Sequence, residues 1–139
     1  MIIVSACLAG VCCKYDGGHN QNEKVVELVK QGLAIPVCPE QLGGLSTPRD
    51  ASEIIGERVL SIHKIDVTDK FAKGAAEALK LAQLTGCKKA ILKQRSPSCG
   101  YGQIYDGTFS GTVKEGNGIT AALLSKNGIE IFTEEDFTG

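Results

Sequence analysis

Four short apolar runs recur along the chain at intervals that leave room for helices between them. They cover residues 2–6, 33–37, 89–93 and 129–132. Runs of four or five mainly apolar residues are typical of strands that are buried on both faces, as in a parallel sheet. Pro36 in the second run cannot donate a backbone hydrogen bond, which predicts an edge position or an early end for that strand.

The segments between these runs have other periodicities. Residues 22–31 place apolar side chains at 25, 26, 28 and 29, which form one stripe of a helix. The Ala- and Leu-rich residues 70–84 predict a second helix, and residues 118–127 predict a third. Residues 58–65 predict a strand or a hairpin arm, and the turn signature in residues 104–113 predicts a small hairpin or an irregular loop.

This alternation of strands and helices predicts the α/β class. We expect a single three-layer α/β/α, Rossmann-like domain over residues 1–139, in which helices cover both faces of a mainly parallel sheet of four or five strands. In open sheets of this kind, ligands bind beyond the carboxyl ends of the strands.

Composition narrows the class of partner. The 139 residues carry 15 basic and 16 acidic side chains, a net charge of −1, so a strongly basic surface for nucleic acid is not expected. Hydrophobic residues make up 42%, which excludes a disordered chain, and no apolar run approaches the roughly 20 residues of a membrane-spanning helix. The apolar start lacks the pattern of a signal peptide. We therefore expect a cytoplasmic protein that forms no stable complex with nucleic acid or membrane, and the sequence is compatible with a monomer or a homodimer.

Six cysteines carry the main chemical signal. Cys7, Cys38 and Cys99 each directly follow a predicted strand, although 31 and 61 residues separate them in sequence. Because the carboxyl ends of parallel strands meet at one edge, the fold can bring these three thiols together. Three thiolates suit an iron–sulfur cubane with one iron free of protein ligands, or a catalytic zinc with one open position. Three buried thiols without a metal are the alternative.

The other three cysteines carry a weaker signal. Cys12 and Cys13 are adjacent, so they cannot easily serve one metal, and we interpret them as bystanders with a redox role as the alternative. Cys87 follows a predicted helix and is interpreted as a core thiol. The chain has no C-x-x-C pair, which argues against a zinc ribbon and against a ferredoxin-type electron carrier.

The motifs around the three cysteines occur in a fixed order. They are residues 5–10 (SACLAG) with 15–17 (YDG), residues 37–45 (VCPEQLGGL) with 48–49 (PR), and residues 96–100 (SPSCG) with 104–107 (IYDG). Over nearly the whole chain, this order resembles the TudS-type thiouracil desulfidase family. The resemblance implies a 4Fe–4S cluster held by Cys7, Cys38 and Cys99 with one open iron. It also implies a non-redox hydrolysis that removes sulfur from a thiolated pyrimidine base or nucleoside and releases sulfide.

The resemblance further implies roles for two side chains beside the cysteines. Glu40 matches an acid or base, and Ser96 matches a substrate-contacting hydroxyl. We also predict that Ser98 and Asp16 bind the substrate. Each has a plainer alternative, because Ser and Asp are common turn formers and a loop Glu is usually solvated. Arg49 is predicted to hold a carboxylate or an anionic substrate.

Two rival functions stay open from the sequence. A non-catalytic carrier of a metal or an iron–sulfur cluster would need the three cysteines but would have no use for Glu40 or Ser96. A thiol-based redox enzyme would instead carry a reactive thiol at Cys12 or Cys13 and would show no visible absorbance.

Overall fold

The computed structural model describes residues 1–138. Its strands are β1 (Ile2–Ser5), β2 (Ala34–Val37), β3 (Ser52–Ile55), β4 (Arg58–Ser61), β5 (Lys89–Leu92), β6 (Tyr101–Tyr105), β7 (Val113–Asn117) and β8 (Glu130–Thr133). Its helices are α1 (Glu23–Lys30), α2 (Pro39–Leu42), α3 (Thr68–Leu84) and α4 (Ile119–Lys126). A short 3₁₀ turn, Ala6–Ala9, follows β1 directly. The order of these elements follows the predicted alternation of strand and helix.

Four parallel strands form the central sheet, in the order β2-β1-β5-β8. Ile3 of β1 pairs with Ile35 of β2 on one side and with Ala90 of β5 on the other. Strand β2 lies at an edge of the sheet, which tolerates the missing N–H of Pro36. The prediction of a mainly parallel sheet is confirmed.

Alternating side chains on the strands build a core on each face of the sheet. On one face, Ile3 and Leu92 are buried with residues of α3 and α4. On the other face, Val4 and Ile91 are buried with Val25 of α1. Burying one such aliphatic side chain stabilises the fold by about 1.5–3 kcal/mol. Because both faces of the sheet are apolar, helices cover both, and the predicted three-layer α/β/α arrangement is confirmed.

Two antiparallel hairpins, β3–β4 and β6–β7, lie outside the central sheet. A third apolar cluster joins them to α3, since Ile54 of β3, Val59 of β4 and Ile104 of β6 are buried with Phe71 of α3. Of the two segments for which the sequence left two alternatives, residues 58–61 form a hairpin arm and residues 104–113 contain the tip of a hairpin. Their attachment to α3 holds the two hairpins beside the carboxyl ends of the central strands.

The four-residue helix α2 has no counterpart among the predicted elements. Cys38 occupies its N-cap, and Pro39 lies in its first turn. This helix rests directly on α3 because two glycines face each other. A Cβ on Gly43 would overlap the carbonyl oxygen of Lys70, and a Cβ on Gly74 would overlap that of Pro39. The contact fixes the position of the loop that follows β2.

The longest helix, α3, has 17 residues and buries a face of small side chains that includes Ala75, Ala78 and Ala82. It begins two residues before the predicted start at residue 70. Across residues 1–138, the structure contains no helix with both the length and the apolar character needed to cross a membrane.

Candidate active site

A cavity of about 470 Å³ opens at the carboxyl ends of β1, β2 and β5. Its floor is formed by the three strand-end cysteines with a carboxylate and a hydroxyl, namely Cys7, Cys38, Cys99, Glu40 and Ser98. Its rim is formed by residues of the first loop and of the two hairpins, including Tyr15, Ile62 and Phe109. The structure thus brings together the three cysteines that the sequence separates.

Cys7 lies in the 3₁₀ turn after β1, and its side chain is half-buried. Burial raises the pKa of the Cys7 thiol, and a hydrogen bond from Asn20 opposes that rise. The Asn20 Nδ2 donates to the Cys7 Sγ at 3.5 Å, and the Asn20 backbone N–H donates to the Cys7 carbonyl oxygen at 2.9 Å. Asn20 therefore anchors both the backbone and the sulfur of the first thiol.

Cys38 lies at the N-cap of α2, beside a second thiol. A hydrogen bond with the Cys13 thiol lowers the pKa of Cys38, and the backbone N–H of Gln41 lowers it further, against the opposing effect of burial. The Cys38 sulfur also lies 3.8 Å from the carbonyl oxygen of Cys13. Cys13 is buried next to the floor, whereas Cys12 is exposed.

Cys99 is buried in the loop between β5 and β6, where α4 holds the backbone. The backbone N–H groups of Thr120 and Ala121 donate to the Ser98 carbonyl oxygen at 2.8 and 3.1 Å. The space is so tight that a Cβ on Gly118 would meet the Ser98 carbonyl oxygen at 2.6 Å. Burial raises the pKa of the Cys99 thiol to about 12, although hydrogen bonds from side chains including Ser98 lower it. A metal bound here would displace the proton of this thiol.

The donor set of the floor fits an iron–sulfur cluster. The three thiols surround a cavity and do not meet at a point, and within residues 1–138 no three His, Cys, Asp or Glu side chains are close enough to share one metal ion. A cubane of four irons and four sulfides is a larger body than one ion, so its ligands stand further apart. Thiolates are also the ligands that such clusters take in proteins.

Glu40 is the carboxylate of the floor, and both of its oxygens are engaged. Its Oε1 accepts a hydrogen bond from the Arg49 Nε at 3.0 Å, and its Oε2 accepts one from the Ser98 Oγ at 3.0 Å. The Arg49 side chain is only 7% exposed and also donates to the Cys13 carbonyl oxygen at 2.8 Å. The sequence-based alternative that Arg49 holds a carboxylate is the one observed.

Ser96 and Ser98 have different surroundings in the loop that carries Cys99. The Ser96 Oγ accepts hydrogen bonds from the backbone N–H groups of Ser98 and Cys99 at 3.2 and 3.1 Å, so the turn role is realised. It also lies 3.0 Å from the Ser98 Oγ. Ser98 is 2% exposed and connects this loop to Glu40 on α2. The two hydroxyls and the carboxylate form one hydrogen-bonded chain.

Asp16 lies apart from the other predicted site residues. Its side chain is exposed, and its Oδ1 accepts the backbone N–H of Gly18 at 2.9 Å, which closes a turn. Its neighbour Tyr15 lines the cavity, but Asp16 does not belong to the wall. The structure therefore gives Asp16 the turn-forming role that was its alternative.

Other wall residues gave no signal in the sequence. Asn20 lies in a long loop where an Asn is expected as a turn former. Lys93 directly follows β5, lines the cavity and pairs with Glu134, with Nζ and Oε2 at 3.0 Å. Cys87, by contrast, lies in the core as predicted, 3.2 Å from the Thr85 hydroxyl.

Comparison with known proteins connects this geometry to a family. A model of the family described as 2-thiouracil desulfurase matches residues 2–136. Over 146 aligned positions the chain is 43% identical to the Bacillus subtilis (strain 168) protein called uncharacterized protein YbbK, with coverage of 98% of this chain and 97% of that protein. It is also similar to the solved structure of a 4Fe-4S-dependent thiouracil desulfidase, TudS, at a TM-score of 0.93 and 44% identity, covering 98% of this chain and 91% of that one. The resemblance carried by the three motifs is confirmed, and this chain belongs to the 2-thiouracil desulfurase family.

Proposed function

We propose that this protein is a 4Fe–4S-dependent desulfidase that removes the sulfur of a thiolated pyrimidine base or nucleoside by hydrolysis and releases sulfide. The observation that carries the proposal is the floor itself, where thiols from three strand ends and the Glu40 carboxylate line one cavity. The family match and the similarity to a 4Fe-4S-dependent thiouracil desulfidase support it. In this proposal residues 1–139 form one desulfidase domain.

Cys7, Cys38 and Cys99 are the proposed ligands of the cluster. Three protein ligands would leave one iron of the cluster open, and that iron would supply a Lewis acid toward the thiocarbonyl group of the substrate. The Cys7 sulfur accepts a hydrogen bond from the Asn20 amide at 3.5 Å. Donors of this kind stabilise the negative charge of thiolate ligands and fix their orientation.

Glu40 is the proposed proton-handling residue. The hydrogen bonds from Arg49 and Ser98 fix the position of this carboxylate, and each of its oxygens keeps a second lone pair through which it can exchange a proton with the attacking water. The water oxygen forms the new bond to carbon, Glu40 takes one water proton and returns it to the departing sulfur, and the C–S bond breaks, so that both water protons leave with the sulfide. Carbon keeps its oxidation state, so no electron donor is required. Ser96 and Ser98 are the proposed substrate contacts, whereas Asp16 is assigned to its turn.

The hydrogen-bonded chain through the floor favours an enzyme over a carrier. A carrier needs the thiolates alone, yet Arg49, Glu40, Ser98 and Ser96 are connected by contacts of about 3 Å beside them. Burying an ion pair has a desolvation penalty, and its retention in a cavity is typical of a group with a chemical role.

The unpaired state of the cysteines indicates the cellular compartment. All six cysteines, each within residues 1–138, are unpaired, which is usual in a reducing compartment. We therefore place the protein in the cytoplasm in this proposal. The cavity is the size of a small-molecule site, and the predicted monomer or homodimer needs no nucleic-acid partner.

The test is turnover per intact cluster in Glu40→Gln, with the exposed Glu115→Gln as the matched control. Reconstituted wild-type protein should release sulfide from 2-thiouracil or a thiouridine under anaerobic conditions without a reductant. Glu40→Gln should keep its iron, labile sulfide and visible spectrum but lose roughly 10²- to 10⁴-fold in turnover. Unchanged turnover in Glu40→Gln would remove Glu40 from the mechanism. A wild type that holds its full cluster but is inactive on every thiolated pyrimidine would favour the alternative function, a non-catalytic cluster carrier.

A further inference from the structure

The loop at the tip of the β6–β7 hairpin, residues 106–112, carries an aromatic residue in an unusual conformation at the cavity rim. Phe109 has a φ of 57°, in the left-handed region, and it lines the cavity. Bulky residues rarely adopt this conformation because the side chain crowds the backbone. Such a conformation persists where surrounding contacts enforce it, and these positions cluster at functional sites.

The contacts that enforce this conformation come from the other hairpin. The Glu53 carboxylate on β3 is 8% exposed, and its Oε1 accepts the backbone N–H groups of Gly107 at 2.9 Å and of Phe109 at 3.1 Å. Gly107 itself has a φ of 92°, and a Cβ there would lie 3.0 Å from the Ile54 carbonyl oxygen. The loop is therefore clamped tightly onto β3 at two successive points.

A cation holds the Phe109 ring from the end of the β3–β4 hairpin. The Lys64 Nζ lies 5.3 Å from the ring centroid, a cation–π contact. Lys64 also adopts a left-handed conformation, with a φ of 66°. Two of the three non-glycine residues with positive φ within residues 1–138 thus contact each other beside the rim. The Phe109 backbone is held by Glu53 and its ring is contacted by Lys64, whereas the ring belongs to none of the three apolar core clusters.

We propose that Phe109 is a substrate-contacting residue that forms a rigid aromatic wall, against which the flat ring of the thiolated heterocycle stacks. This inference rests on the proposed function and adds a specificity determinant to it. The floor offers hydrogen-bonding groups and thiols, which hold the sulfur end of a substrate but cannot select a planar aromatic ring. A pre-positioned aromatic side chain supplies that selection, because stacking is favourable for any base and a fixed ring loses little entropy on binding.

The experiment measures uracil binding by calorimetry to cluster-loaded protein, because uracil has the same flat ring and no sulfur to react. Phe109→Gly removes the ring and suits the left-handed backbone, while Phe109→Leu keeps apolar volume without a flat face. Both should bind uracil roughly 5- to 150-fold more weakly than wild type. Phe109→Tyr should stay within about threefold, since its ring stacks equally well. Val113→Ala, at an exposed residue where the same loop enters β7, is the control and should bind as wild type does.

Iron content and the visible spectrum show that each variant is folded and loaded. Wild-type affinity in both Phe109→Gly and Phe109→Leu would overturn the proposal, as would a loaded wild type that does not bind uracil. Sulfide release from 2-thiouracil by the wild type is measured separately. If the wild type releases sulfide but the variants bind uracil normally, the aromatic wall is refuted and the desulfidase function stands. If uracil binding depends on Phe109 but no sulfide is released, the aromatic wall stands and the desulfidase function is refuted.

Discussion

The floor and the rim of the cavity are built by different means. Cys99 and Ser98 of the floor are 4% and 2% exposed, and the Ser98 carbonyl oxygen accepts hydrogen bonds from N–H groups of α4 behind it. At the rim, Tyr15 and Ile62 are each 48% exposed. The floor stands on a parallel sheet buried on both faces, whereas the rim stands on hairpins of four and five residues per strand.

This difference separates two tasks. Side chains that hold a cluster or move a proton need fixed positions. A buried frame fixes these side chains in advance, so little conformational entropy is lost when the reaction takes place. Groups that select a substrate can change without disturbing that frame, because surface segments tolerate substitution. Floor variants should therefore change cluster content or turnover, and rim variants should change substrate affinity.

The largest effect is expected from the proposed ligands. Cys7→Ala, Cys38→Ala or Cys99→Ala should each lose most of the iron and labile sulfide, since each substitution removes one of the three proposed thiolate ligands. Cys87→Ala and Cys13→Ala should retain both. The measurement is iron and sulfide content with the visible spectrum after anaerobic reconstitution. If Cys13→Ala lost its cluster as completely as Cys38→Ala, Cys13 would have to be counted among the cluster ligands.

Two serines of the floor should separate catalysis from stability. Ser98→Ala removes a hydrogen bond to the charged Glu40, and such bonds contribute about 1.5–3 kcal/mol, so turnover per cluster should fall roughly 10- to 150-fold. Ser96→Ala should lower turnover less than tenfold. Because two backbone N–H groups lose their acceptor, it should instead lower the free energy of unfolding by about 1–3 kcal/mol. The reverse ranking of the two turnovers would contradict the chain through Ser98.

The glycine contact under α2 connects the floor to the frame. Gly74→Ala should lower the free energy of unfolding by about 1–3 kcal/mol, because the new Cβ overlaps the Pro39 carbonyl and pushes α2 away. Helix propensity alone predicts the opposite sign, a gain of up to about 1 kcal/mol. The exposed Ala76→Gly on the same helix is the control, which should lose about that propensity difference. Denaturant unfolding decides the sign, and stabilisation by Gly74→Ala would refute the close contact.

The smallest effect is expected at Asn20. Asn20→Leu removes the N–H donor to the Cys7 sulfur but keeps a side chain of similar size. Hydrogen bonds to ligand sulfurs stabilise the more negative state of a cluster, so the reduction potential should fall while iron content stays near wild type. Asn127→Leu at the end of α4 serves as the control. An Asn20→Leu protein with an unchanged potential would show that the amide does not act on the sulfur.

Regular elements and single residues differ in how far the sequence predicts them. The sheet, the helices over both faces and the meeting of Cys7, Cys38 and Cys99 follow from periodicity and from parallel topology. Helix α2 escapes prediction because four residues are too few to show a period. Asn20 and Phe109 act through loops without periodicity, where conformation depends on tertiary contacts such as the Glu53 clamp. The motifs around Cys7, Cys38 and Cys99 could not reveal that Asn20 contacts the Cys7 sulfur or that Glu53 holds the Phe109 loop.

The pairing of β1 with β5 has a consequence for biosynthesis. It joins Ile2 to Lys89, so most of the chain must be translated before β1 can pair with β5, its inner neighbour in the sheet. The third thiol, Cys99, is translated 61 residues after Cys38, which takes roughly 3–12 s at 5–20 residues per second. During that interval the nascent chain carries only two of the three proposed ligands. The complete set of thiols is therefore available to iron and sulfide only after Cys99 has been translated.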